Sequence, residues 1–209
     1  MLRGLKRNHH RIYIFSIFIY LIGYSTSGPK PMINQDTVNP GETITRKGQL
    51  MKLTGEPLVI GEALPSSNLV DVGSMKTVDL SGQKGRILFL SIVPSLETKV
   101  CEAQTHFLGE QGNSLGASIK RITTRRDTPM AQMRFAKEAW LTDIQYLSDY
   151  RTGDFGIKTG LLIDDNRLLA RSVVIVDKEG IVRYIQVVPE ITNLPNMEKA
   201  FKIAIDLLK

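Results

Sequence analysis

The chain has 209 residues, 42% of them hydrophobic and 23% charged, which suits a globular protein with room for one sizeable domain and an extension. Its formal charge of +6 does not mark a nucleic-acid binder: four of the 27 basic residues (Arg3, Lys6, Arg7 and Arg11) precede residue 28, where no Asp or Glu occurs, leaving 23 basic against 21 acidic residues. A single cysteine excludes an internal disulfide, a CxxC pair and a cysteine-built zinc site. With His9 and His10 in the N-terminal tail only His106 is left for the folded part, so no metal or cofactor is expected.

Residues 1–27 have the layout of a secretory signal. A basic stretch is followed by an apolar run from Ile12 to Ile22 and by small residues at Ser25, Thr26, Ser27 and Gly28. The run is shorter than the roughly 20 residues of a comfortable membrane span, so the segment reads as a signal peptide or an uncleaved N-terminal anchor. The protein is therefore expected to be exported to a periplasmic or other extracytoplasmic place. Residues 28–47, with three prolines and little apolar content, read as a linker, and residues 48–209 as the folded domain. Gln49–Leu53 and Leu58–Ile60 predict a hairpin around Gly55 and Pro57.

The run Ile87 to Val93 is long and branched enough for a strand buried on both faces. Pro94 stops it, and Thr98 is a suitable N-cap for a helix that places Cys101, the chain's one cysteine, in its first turn. The positive end of a helix favours a thiolate, an attacking group, although a lone cysteine also serves as a small buried hydrophobe. Further on, Ser118–Thr123 reads as a strand and Asp127 opens a helix running to about Trp140. Ile144–Leu147 reads as a short strand, Leu168–Asp177 and Ile181–Val187 as a pair of strands. Asn196–Lys209 is a closing helix with Phe201, Ala204, Ile205 and Leu208 on one face.

The segment Pro94-Ser95-Leu96-Glu97-Thr98-Lys99-Val100-Cys101 resembles the active-site segment of the peroxiredoxins, and most of all that of the bacterial thiol peroxidases, Pro-Ser-Ile-Asp-Thr-Gly-Val-Cys. Asp127-Thr128-Pro129-Met130-Ala131-Gln132-Met133-Arg134-Phe135 resembles a second segment of that family, which ends in a resolving cysteine where this chain has Ala136. Ala170-Arg171-Ser172-Val173-Val174 matches a third, and the weaker Phe155-Gly156-Ile157 matches a run that follows a helix in the family. The region from Ala63 to Leu80 departs from the pattern. The resemblance covers about residues 48–209 and implies an α/β thioredoxin-like (peroxiredoxin) sandwich with an N-terminal β-hairpin.

It also implies a thiol peroxidase. Cys101 attacks hydrogen peroxide or a small organic hydroperoxide and becomes a sulfenic acid. Thr98 and Arg171 bind the peroxide and the sulfur, and Pro94 walls the pocket; the sulfur is expected to be reachable by small oxidants. With Ala136 in place of a partner thiol, an external thiol (a thioredoxin-like protein, glutaredoxin or a small thiol) must reduce the sulfenic acid. A homodimer is expected. His106, five residues past Cys101, falls about 140° around the helix and is not expected to act on it. Two rival readings remain: a non-catalytic thioredoxin-fold binding protein, and a redox sensor forming an intermolecular disulfide through its one cysteine.

Overall fold

The computed structural model describes residues 31–110 and 115–209; the expected signal or anchor segment, residues 1–27, lies outside the described residues. In chain order the elements are β1 (Thr43–Arg46), β2 (Gln49–Thr54), β3 (Leu69–Asp71), β4 (Thr77–Val78), β5 (Ile87–Ile92), α1 (Lys99–Glu110), β6 (Ile119–Arg125) and α2 (Pro129–Glu138). They continue with β7 (Gln145–Ser148), α3 (Asp154–Lys158), β8 (Leu162–Ile163), β9 (Ser172–Val176), β10 (Val182–Val187) and α4 (Met197–Asp206).

A seven-stranded sheet of order β10-β9-β5-β6-β7-β3-β4 forms the centre, with β5 parallel to β6 and antiparallel to β9. Every residue of β5 is buried, as its unbroken apolar run requires. Its period-two alternation divides the interior. Leu88, Leu90 and Ile92 point into one core with Val174 and Val176 of β9, whereas Ile87 and Phe89 point into the other with Val173 and Ile175. The second core is covered by α1 and α4, where Phe201 packs on Phe89 at 4.8 Å and stacks on Phe107 at 5.6 Å between ring centroids. The first core is covered by α3 and by a small sheet of order β1-β2-β8.

The hairpin exists but is built one strand earlier than expected. β1 pairs with β2 in the register Arg46↔Gln49, so the turn is Lys47-Gly48, both at positive φ (51° and 81°), as a tight two-residue turn demands. The stretch read as a linker therefore contributes β1, and Ile33 and Val38 bridge to Leu194 and Val187. Leu58–Ile60 is not a strand. Gly55, taken for the hairpin turn, has φ 113° and serves a close approach: a Cβ there would run into the carbonyl of Ile157.

Three other boundaries differ. Leu168–Arg171 precede β9 rather than belonging to it, and Phe155-Gly156-Ile157 lies inside α3 rather than after a helix. α2 stops at Glu138, and Trp140 beyond it is exposed with a left-handed backbone. α4 buries Met197, Ala200, Phe201 and Ala204, while Ile205 and Leu208 are exposed; the apolar face is the expected one shifted a turn toward the N-terminus. Among the described residues no helix is long and apolar enough to cross a membrane.

Candidate active site

The carboxyl ends of the parallel strands β5 and β6 lie side by side, the usual place for a site in such sheets. After β5, Val93 and Pro94 are buried and the chain turns outward through Ser95–Thr98. Asp127, just past β6, fixes that turn by accepting from Ser95 Oγ at 3.0 Å and from the backbone N–H of Leu96 at 3.0 Å. Thr98 caps α1: its Oγ1 accepts from the backbone N–H of Cys101 at 3.3 Å and donates to Cys101 Sγ at 2.9 Å. One hydroxyl thus starts the helix and contacts the sulfur.

Arg171 arrives from the other side of β5. Its neighbour Ser172 pairs with Ile92, the last residue of β5, so residues 171 and 101 meet across 70 positions of sequence. The guanidinium uses all three of its nitrogens. Nη2 donates to Cys101 Sγ at 3.3 Å, Nη1 to Gln104 Oε1 at 2.9 Å, and Nε to the Ile191 carbonyl at 2.7 Å. Gln104, one turn beyond Cys101, is held by Ser91 Oγ at 2.9 Å. Arg171 is 2% exposed. Burial pulls its guanidinium below the ordinary range, and the sulfur beside it opposes that shift. A buried cation of this kind is tolerated because each of its nitrogens has a hydrogen-bond partner.

Sequence reasoning missed a second buried arginine. Arg125, at the end of β6, is 0% exposed and lies beneath α1. Its Nη2 donates to Thr123 Oγ1 at 2.7 Å and to Thr105 Oγ1 at 3.3 Å, and Thr105 donates to the Cys101 carbonyl at 2.8 Å. Its guanidinium carbon lies over the rings of Phe135 and Tyr146, at 5.6 and 5.7 Å. Burial pushes its pKa down to about 10, against the charges of Asp127, Tyr146 and Cys101. An arginine closing a strand of Ile, Lys, Arg and Thr carried no sequence signal of burial.

The other expected residues fall as follows. Pro94 and Thr98 line a cavity of about 150 Å³ together with Arg171. Cys101 itself is 0% exposed and does not line the cavity, which corrects the expectation of an open sulfur: it lies behind Thr98 and Arg171, two residues of the cavity wall that bond to it. Its immediate partners there are polar, not an apolar seal. A larger, open groove of about 480 Å³ beside Arg86 and Lys120 shares no residue with this cavity. His106 faces Glu102 and Glu110 (3.8 and 3.4 Å), away from the sulfur. Ala136 is half-buried in α2 against the second core.

The loop carrying Ile191 is itself anchored. The Glu190 carboxylate accepts from Thr45 Oγ1 at 2.9 Å, from Thr192 Oγ1 at 2.7 Å and from the Gly48 backbone at 3.4 Å. Burial raises its carboxyl, but the hydrogen bonds from Thr192, the Lys47–Gly48 backbone and Thr45 outweigh it and hold it down to about 2, from an ordinary 4.5. The folded value lies below the unfolded one, so this stabilisation is complete above pH 4.5 and is lost as pH falls through about 2. Glu190→Gln is expected to flatten that part of the acid limb. Urea midpoints measured across this pH range would show it, and parallel curves for the two proteins would refute it.

Comparison with known proteins gives the context. Residues 60–201 match the Redoxin family model. The thiol peroxidase of Bacillus subtilis is 36% identical over 166 residues, covering 79% of this chain and 98% of the relative. That of Halalkalibacterium halodurans is 36% identical over 162 residues, covering 78% and 96%. Among solved structures, a peroxiredoxin-like protein from Aquifex aeolicus superposes with a TM-score of 0.73 at 32% identity, covering 79% of this chain and 97% of that one. With these relatives and the thioredoxin-like sandwich, the chain belongs to the thiol peroxidase group of the peroxiredoxins.

Proposed function

We propose that the protein is a one-cysteine thiol peroxidase that reduces hydrogen peroxide or organic hydroperoxides through Cys101. The observation that carries this reading is the sulfur held at a helix start by the Thr98 hydroxyl and the Arg171 guanidinium, at 2.9 and 3.3 Å. The Cys101 thiolate attacks the terminal oxygen of the hydroperoxide. An S–O bond forms as the O–O bond breaks, the sulfur loses two electrons, and the alkoxide leaves with the electron pair to be protonated to an alcohol. Arg171 stabilises the thiolate and the charge growing on the oxygens, Thr98 orients the hydroperoxide, and Pro94 keeps water from one wall. Arg171 is steadied by Gln104 and Ile191, and the loop before α1 by Asp127.

The chain has no second cysteine, so the return step is external. One thiol condenses with the sulfenic acid, releasing water and leaving a mixed disulfide. A second thiol cleaves that disulfide and restores Cys101. A thioredoxin-like protein, glutaredoxin or a small thiol fits this role, and the working form is a homodimer. Residues 1–27 export the protein or anchor it outside the cytoplasm. Recovery of the intact chain as a soluble cytosolic protein would overturn that last assignment.

The decisive test is chemical. The reduced protein is mixed with one equivalent of hydroperoxide in the presence of dimedone, and Cys101 is examined by mass spectrometry. A dimedone adduct formed within seconds, with one equivalent of alcohol released, is the expected result. An unmodified thiol would end the peroxidase reading, and a covalent dimer on a non-reducing gel would favour a disulfide-forming sensor.

A further inference from the structure

Arg125 is the more unusual of the two buried guanidiniums. Arg171 has an acceptor for each of its nitrogens, whereas Arg125 donates through Nη2 alone, to Thr123 and Thr105. Its Nε and Nη1 are buried and find no acceptor among the described residues. The arginine ion pairs among those residues belong to Arg121, Arg134, Arg167 and Arg183, not to Arg125. Asp127, two residues on, uses its carboxylate on Ser95 and the Leu96 N–H. A wholly buried cation with idle donors costs stability, and an apolar side chain of similar length would cost less.

This charge lies under the turn of Cys101. Thr105 Oγ1 accepts from Arg125 and donates to the Cys101 carbonyl, so one hydroxyl joins the guanidinium to the backbone of the reacting residue. Phe135 of α2 and Tyr146 of β7 hold the guanidinium there with their rings. Burial lowers its pKa only to about 10, so it is charged at neutral pH. The groups on the neighbouring elements do not balance it. Tyr146 is pushed up to about 12 by burial and its hydroxyl donates to the Leu141 carbonyl, so it is neutral. On α1, Glu102 and Glu110 face His106, and the exposed Lys99 adds positive charge; Glu97 faces Arg134 of α2 at the surface. Arg171 adds a further cation on the far side of the sulfur. The group placed to balance both buried guanidiniums is the thiolate.

We infer that Arg125 is a positioning residue for Cys101: held under α1 by Thr105 and Thr123, it supplies a second fixed positive charge that keeps the sulfur ionised. It does not touch the hydroperoxide and acts only on the fraction of attacking thiolate. The inference rests on the peroxidase reading for what that thiolate does.

The experiment follows the ultraviolet absorbance of the thiolate in the reduced full chain as pH is varied, with Cys101→Ser as the blank; the single cysteine gives the signal one source. In Arg125→Met the ionisation midpoint is expected to rise by about half to one pH unit, less than the roughly one to three units of a charge in direct contact, because Thr105 intervenes. Arg125→Lys, which keeps the charge, recovers more than half of that rise. Below the midpoint, first-turnover rates of Arg125→Met with hydroperoxide fall by about threefold to tenfold, and they rejoin the wild type once both sulfurs are ionised. Arg125→Gln, also neutral, carries the same expectation if the methionine variant does not fold. An unmoved midpoint in a folded neutral variant, with or without a loss of stability, is the signature of a structural arginine and overturns the inference. So does a shift that lysine leaves uncorrected. Neither result touches the peroxidase reading, which the dimedone adduct decides separately.

Discussion

Cys101→Ser is expected to lower hydroperoxide turnover by at least about a thousandfold, with the fold intact. Serine keeps the size of the side chain and the contacts from Thr98 and Arg171, but its hydroxyl stays protonated at neutral pH and is a far weaker nucleophile. No other thiol in the chain can substitute, because this is the only cysteine. Peroxide consumption under excess dithiothreitol measures the effect, and circular dichroism checks the fold. More than about a tenth of the wild-type turnover in the serine variant would mean that the reaction does not pass through this sulfur.

The second large effect is expected at Arg171. Arg171→Ala removes the donor at 3.3 Å from Sγ, the partner of Gln104 Oε1 and the link to Ile191. Loss of one preorganised charged donor from a water-poor site typically costs about a hundredfold to a thousandfold in rate. Arg171→Lys restores a positive charge but only as a point, unable to reach sulfur, Gln104 and carbonyl together, and is expected to recover little of that loss. Stopped-flow measurement of the first turnover separates this step from reduction by thiol. Gln104→Ala, which frees Nη1 without touching the sulfur, should fall between wild type and Arg171→Ala. First-turnover rates within twofold of wild type in both Arg171 variants would remove the residue from the mechanism.

How these parts could be read beforehand follows from their physics. The strand Ile87–Ile92 and the capped helix start at Thr98 were legible because both are local: one is an unbroken apolar run, the other a hydroxyl before a helix. The meeting of Arg171 with Cys101 is set by a sheet register, Ser172 against Ile92, and no local rule contains it; only the resemblance supplied it. The hairpin was misplaced because Gly55 and Pro57 look like a turn, whereas Gly55 bends to let the backbone pass Ile157 and the true turn is Lys47-Gly48. The burial of Arg125 could not be read at all, and that of Cys101 only as one of two readings of a lone cysteine, since both depend on how α1 seats on the strand ends. Asp127 opens a segment that resembles the family and Gln104 lies in the helix that Thr98 begins, but their partners, Ser95, Leu96, Ser91 and Arg171, are fixed only by tertiary contact.

The Lys47-Gly48 turn sits on the rim of the molecule and looks like a harmless place for a tag or a grafted loop. Yet Glu190 grips the turn backbone, and the adjacent Ile191 carbonyl grips the guanidinium that touches the sulfur. Lengthening the turn by even one residue would therefore travel through two successive anchors into the reaction centre, so engineering at this edge would show up as altered kinetics as well as lost stability.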